Sequence, residues 1–102
     1  MVLSGQCFDI IEVVGLLDYF SDERAVRLLT DARKILNEEG CMIVANVTLN
    51  SEVPFVRKTG WPEMNYRSVA ELRAILEADG LWKRISVTVE PLGVHLIAIA
   101  QL

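Results

Sequence analysis

The chain has 102 residues, a formal net charge of -4 and 52% hydrophobic residues. One domain of ordinary size fits that length, and an apolar fraction above the usual ~45–50% excludes disorder for most of it. A pI near 4.9, with Lys and Arg scattered, excludes the basic footprint that nucleic-acid binding requires.

Residues 8–14 form a nearly continuous apolar run, interrupted by Asp9 and Glu12 and ended by Gly15. Such a run predicts a strand buried on both faces, as in a parallel sheet. A helix is predicted next, capped by Ser21 or Asp22, with Asp22 and Glu23 suiting the dipole of its first turn. Ala25, Val26, Leu28, Leu29, Ala32, Ile35 and Leu36 recur at three- and four-residue spacing and make one apolar stripe. Gly40 is predicted to end this helix in the left-handed conformation. Residues 41–47 then read as a second strand, apolar on both faces. Strand, helix and strand imply parallel neighbours joined by a right-handed crossover.

Residues 48–67 read as a long irregular stretch holding Pro54, Pro62, Phe55, Trp61 and Tyr66. Loops of this length are usually functional or disordered, and the aromatics favour a substrate-facing lid. Ser68-Val69-Ala70-Glu71 is a capping box. The helix it opens should bury Val69, Leu72, Ile75 and Leu76 and stop at Gly80. Two strands, over residues 82–89 and 94–102, flank the turn Glu90-Pro91-Leu92-Gly93, which makes them an antiparallel hairpin.

The apolar surplus implies surface meant to face something further. Cys7 and Cys41 sit in or beside apolar runs and read as free thiols of a reducing compartment. There is no CxxC and no Cys/His cluster, so no metal site is expected. No apolar run approaches the ~20 residues of a membrane span, and the first residues carry no basic region. A cytoplasmic location is expected.

The motifs taken together resemble the C-terminal half of a class I S-adenosylmethionine-dependent methyltransferase. Phe8-Asp9-Ile10-Ile11 and Gly15-Leu16-Leu17-Asp18-Tyr19-Phe20-Ser21-Asp22 resemble that family's fourth strand and the turn into its next helix. Leu36-Asn37-Glu38-Glu39-Gly40-Cys41-Met42-Ile43-Val44 resembles the approach to its fifth strand, with Glu38-Glu39-Gly40 where Pro-Gly-Gly is common. Gly60-Trp61-Pro62, Tyr66-Arg67-Ser68 and Glu71-Leu72 are similar to bacterial members acting on small, often lipid-like molecules. The hairpin from Val87 to Leu96 fits the family's closing strands.

The resemblance implies an α/β fold: a partial Rossmann-like sheet with two parallel strands and a crossover helix, then a helix and a C-terminal antiparallel hairpin. It implies one partial domain over residues 1–102 that lacks the N-terminal cofactor-binding half. No Gly-x-Gly turn, the usual cradle for such a ligand, occurs in the sequence. S-adenosylmethionine is therefore expected as cofactor of a longer enzyme, bound weakly or not at all by this chain, which should be inactive alone.

Ligands of open α/β sheets sit outside the carboxyl ends of the strands. The resemblance accordingly implies that Val13, Val14 and Gly15 pass the cofactor. Glu12 and Asp18 are candidates for orienting or deprotonating the acceptor. Alternatively, Asp18 only helps to cap the helix and Glu12 is satisfied by a backbone or arginine partner. Leu16, Tyr19, Asn46, Trp61 and Tyr66 are candidate acceptor contacts. Asn46 is alternatively a satisfied buried amide, and Trp61 and Tyr66 alternatively pin the loop. His95, the sole histidine, reads as structural.

The acceptor is expected to be a small molecule. The unpaired edge of the first strand invites self-association. Two other readings remain: a non-catalytic α/β module that pairs with another chain, and the latter half of a dinucleotide-dependent dehydrogenase. The hairpin speaks against the second.

Overall fold

In the computed structural model, which describes residues 7–102, eight elements follow one another. They are β1 (Phe8–Val13), a 3-10 turn (Leu17–Tyr19), α1 (Asp22–Arg33), β2 (Leu36–Val47), α2 (Val53–Lys58), α3 (Val69–Glu77), β3 (Arg84–Val89) and β4 (His95–Gln101). Residues 1–6 of the expected domain lie outside the described residues.

The strands form one sheet in the order β1-β2-β4-β3. β1 and β2 are parallel, while β4 runs antiparallel to both β2 and β3. This is the expected α/β architecture of a parallel pair followed by a helix and a hairpin. The last strand, however, inserts between β2 and β3. No local pattern signals that insertion, because it depends on which edge of the hairpin meets β2.

Side-chain alternation explains the layering. Met42, Val44 and Asn46 of β2 stand opposite Ala100, Ala98 and Leu96 of β4, and all six are buried. Leu29 and Ala32 of α1, with Leu72, Ile75 and Leu76 of α3, cover that face and complete the core. The opposite residues face outward: Ile10 is 60% exposed, Val14 63% and Ile99 45%. Among the described residues, the apolar surplus is thus an uncovered sheet face and a β1 edge with no neighbouring strand.

Several boundaries differ from the sequence reading. β1 ends at Val13 and is not buried on both faces, since only one of its edges and one face are covered. α1 stops at Arg33, and β2 begins at Leu36 instead of 41. Ile35 and Leu36 therefore leave the helical stripe. The left-handed residue is Glu39, at φ 65°. Gly40 lies within β2 and is small for another reason. A Cβ there would stand 2.8 Å from the Asn37 carbonyl oxygen and 3.3 Å from that of Asp9.

The stretch 48–67 is not wholly irregular. It contains α2, which opens with Pro54 in its first turn, where the missing N–H is no loss. Ser68 Oγ and the Glu71 carboxylate close the predicted capping box at 3.1 and 2.9 Å. Val69, predicted as buried, lies on the outer side of α3 and is exposed. Gly80, at φ 71°, follows the helix as predicted.

The hairpin turn is organised by one side chain. The Glu90 carboxylate accepts from the backbone N–H of Leu92 at 2.8 Å, Val94 at 2.7 Å and His95 at 3.2 Å. These bonds to the charged form hold its acid dissociation below the usual 4.5. A depressed carboxylate stabilises the fold above its unfolded value and loses that contribution as pH falls through its folded value. Glu90→Gln is accordingly expected to lower the thermal midpoint at neutral pH. The gap to the parent should close below about pH 4.5. Midpoints measured from pH 7 downward check this; a gap constant with pH would refute it.

Candidate functional site

The C-terminal ends of β1 and β2 open side by side, and the 3-10 turn folds across them. Asp18 lies on that turn and is 7% exposed. Its Oδ1 accepts the Val47 N–H at 2.6 Å, while its backbone oxygen accepts from Asn65 N at 2.5 Å. Asp18 therefore ties the turn to the end of β2 and to the segment before α3. It does not cap α1: Ser21 Oγ does, accepting from Arg24 N at 3.3 Å.

Only one oxygen of the Asp18 carboxylate is engaged among the described residues. No buried side-chain oxygen or nitrogen is without a partner there, and Asp18 is among the residues that line a cavity. That cavity is a slot of about 170 Å³ whose walls include Asp18, Val47, Val53, Val56, Tyr66 and His95.

Beneath it lies a buried polar knot. Arg67 donates to Asn46 Oδ1 at 2.5 Å, Leu17 O at 2.8 Å, Phe20 O at 2.7 Å and Asp22 Oδ1 at 3.0 Å. Asn46 Nδ2 donates to the carbonyls of Val47 and Asn65 at 2.8 and 3.0 Å. The amide of Asn46 is thus fully occupied within the protein.

The remaining candidates separate into three places. Glu12, Val13, Val14 and Leu16 line an open groove of about 360 Å³ between the β1 edge and α1. Gly15 follows at φ 74°, with open space where a side chain would stand. Tyr19 and Trp61 form an exposed pair, with Trp61 Nε1 donating to Tyr19 Oη at 3.1 Å. Tyr66 lies under the Arg57 guanidinium, 5.9 Å from its ring centre. Arg57 in turn bonds Glu63 at 2.9 Å, and this raises its already high basicity. The structure thus brings Asp18 and Tyr66 together, pairs Tyr19 with Trp61, and gathers residues 12–16 along β1.

Sequence reasoning missed Arg67, Asn65 and the pocket walls from α2. Arg67 directly precedes the Ser68 cap, but no local pattern signals its distant partners.

No protein-family model matches the sequence, and no curated protein matches it. The fold does match solved structures. One is a protein of Nostoc punctiforme named as a candidate O-methyltransferase, at 17% identity and TM-score 0.74, covering 98% of this chain and 33% of that one. Another is a candidate exported protein from Bordetella parapertussis, at 18% identity and TM-score 0.80, covering 94% and 39%. A third is the magnesium protoporphyrin IX methyltransferase of Synechocystis with bound SAH, at 18% identity and TM-score 0.65, covering 95% and 45%. The fold is therefore that of part of a methyltransferase domain, and the chain spans between 33% and 45% of these three proteins.

S-adenosylmethionine carries a charged amino-acid end, a sulfonium and a nucleoside. Against it, residues 13–16 offer an apolar ledge with an open glycine, which fits one wall of such a site. They offer no glycine-rich cradle. Among the described residues no helix is long and apolar enough to cross a membrane, and no three His, Cys, Asp or Glu side chains converge as metal ligands.

Proposed function

We propose that this chain forms the acceptor-side portion of a class I S-adenosylmethionine-dependent methyltransferase acting on a small molecule. The observation that carries the reading is the buried Asp18, held at the mouth of the parallel strands by its bond to Val47 N–H and lining the cavity there. The cofactor, when bound, supplies the activated methyl group, and the protein's contribution is chiefly alignment. Val13, Val14 and Gly15 flank the cofactor. Asp18 orients the acceptor or takes its proton, with Glu12 the second candidate carboxylate. Leu16, Tyr19, Trp61 and Tyr66 bound the acceptor's space. Asn46 acts through Arg67, which fixes the turn carrying Asp18.

In this reading the glycine-rich grip comes from outside residues 7–102, so the chain by itself is inactive. The free thiols of Cys7 and Cys41 support a reducing, cytoplasmic setting. Titration calorimetry of S-adenosylhomocysteine tests the proposal, first on this chain and then on a longer protein that joins it to a glycine-rich half. Binding by the longer protein alone is the expected result. Tight binding by the chain alone would overturn this account of the site.

The free β1 edge favours a second reading, a non-catalytic module that pairs with another chain or with itself. Failure of both proteins to bind, with a concentration-dependent dimer in sedimentation, would select it.

A further inference from the structure

The sheet face turned away from α1 and α3 is a regular array. The strand registers place Ile10, Cys41, Gln101 and Arg84 in one row across β1, β2, β4 and β3. Glu12, Ile43, Ile99 and Ser86 make the next row. Ala45, Ile97 and Thr88 make a third, with Val14 beside it around a hollow of about 450 Å³.

The middle of this array is mostly apolar, and its margins carry the charge. Glu12 stands on β1 and Arg84 on β3, both exposed. Neither is in an ion pair among the described residues. The net charge of -4 is therefore carried elsewhere, and these rows are balanced, negative at one margin and positive at the other.

Such a surface is complementary to itself. A twofold axis between two facing sheets, parallel to their strands, sets β4 of one copy over β2 of the other and β3 over β1. Row for row, Ile97 then lies over Ala45, large over small, and Ile99 over Ile43. Ser86 stands opposite Glu12 of the partner copy, and Arg84 is one row away, about 7 Å along the strand. Aligned sheets pack in this manner about 10 Å apart. The other twofold, across the strands through the middle row, would set Glu12 against its own copy, and like charges so placed cost affinity.

Three rows on four strands cover roughly 20 by 20 Å. Two such patches, with the relief of their side chains, reach the order of 1,000 Å² that a specific interface requires. That is the small end of the range, so the association is weak and depends on concentration.

We propose that the outer sheet face is the docking surface for a second copy of this chain. The isoleucines of β2 and β4 join the two sheets face to face, and a Glu12–Arg84 pair at each margin sets the register. This goes beyond the acceptor-side reading and does not rest on it. It also differs from pairing along the β1 edge, where strands meet and not faces.

Sedimentation of the full chain over a range of concentrations tests it, with a dimer expected by about 1 mM. Ile97→Lys, on the exposed face and away from the core, should abolish the dimer and leave the circular dichroism of the parent. Glu12→Arg or Arg84→Glu alone should weaken dimerisation at least about tenfold, because each sets like charges together at both margins. The two combined put opposite charges back in register and should recover the parent's affinity to within about threefold. These exposed changes test the interface independently of Ile97.

A chain that stays monomeric up to that concentration would overturn the proposal and leave the face to a different polypeptide. So would a dimer that a folded Ile97→Lys variant leaves intact, or single charge variants that the combination does not rescue. Slowed hydrogen exchange on dimerisation at the β1 amides alone would do so too, by assigning the contact to the strand edge.

Discussion

Arg67→Met is expected to destabilise the protein by about 2–4 kcal/mol. The figure follows from what each partner keeps. Leu17 O still accepts from Phe20 N, and Phe20 O still accepts from Asn65 Nδ2 at 2.8 Å. Asp22 is largely exposed and returns to water. Asn46 Oδ1, by contrast, loses its protein donor inside a residue with no exposed surface. An acceptor left so costs about 1–3 kcal/mol, and the severed link between the 3-10 turn and β2 adds the remainder. Methionine keeps the stem volume, so little of the loss is packing.

Thermal or denaturant unfolding reads the change, with about 4–8 °C of midpoint per kcal/mol for a chain of this size. Removing both partners, as in Arg67→Met with Asn46→Leu, should cost less than the two single changes summed, because no polar atom is then stranded. A loss below about 1 kcal/mol for Arg67→Met would show that the knot contributes little to stability.

Leu72→Ala is expected to cost about 2–5 kcal/mol. Leu72 sits at the middle of α3, has no exposed surface and belongs to the single core between helices and sheet. Truncation removes its transfer energy and leaves a cavity. Rigid neighbours, the β2–β4 pair and α1, cannot fully close that cavity. Leu92→Ala is the control. Leu92 lies in the hairpin turn and is 85% exposed, so its truncation should stay within about 0.5 kcal/mol. Equal effects at the two leucines would mean that α3 does not pack as described.

Local chemistry was legible in the sequence. The Ser68 capping box, the Gly80 stop and the hairpin turn at Glu90 each depend on residues within a few positions of one another. What depends on distant partners did not read. Arg67 draws on residues 17, 20, 22 and 46, and nothing near it in the chain hints at them. Gly40 looked like a helix terminator because terminators are commonly glycine. Its true constraint is the Asn37 carbonyl oxygen within the first residues of β2, joined by that of Asp9 once β2 is laid against β1. Of the site candidates, Asp18 was picked for its place at the strand mouth. Its bond to Val47, 29 positions away, was beyond any local pattern.

The insertion of β4 bears on how the molecule is made. β1-β2 and β3 are separate pieces until His95–Gln101 slides between β2 and β3. During synthesis, which proceeds from the N-terminus at about 5–20 residues per second, the nascent chain therefore exposes an open seam along β2 while residues 48–94 are being made. A chaperone that shields strand edges has its longest opportunity there, and a ribosome stalled anywhere before residue 95 leaves that seam unclosed.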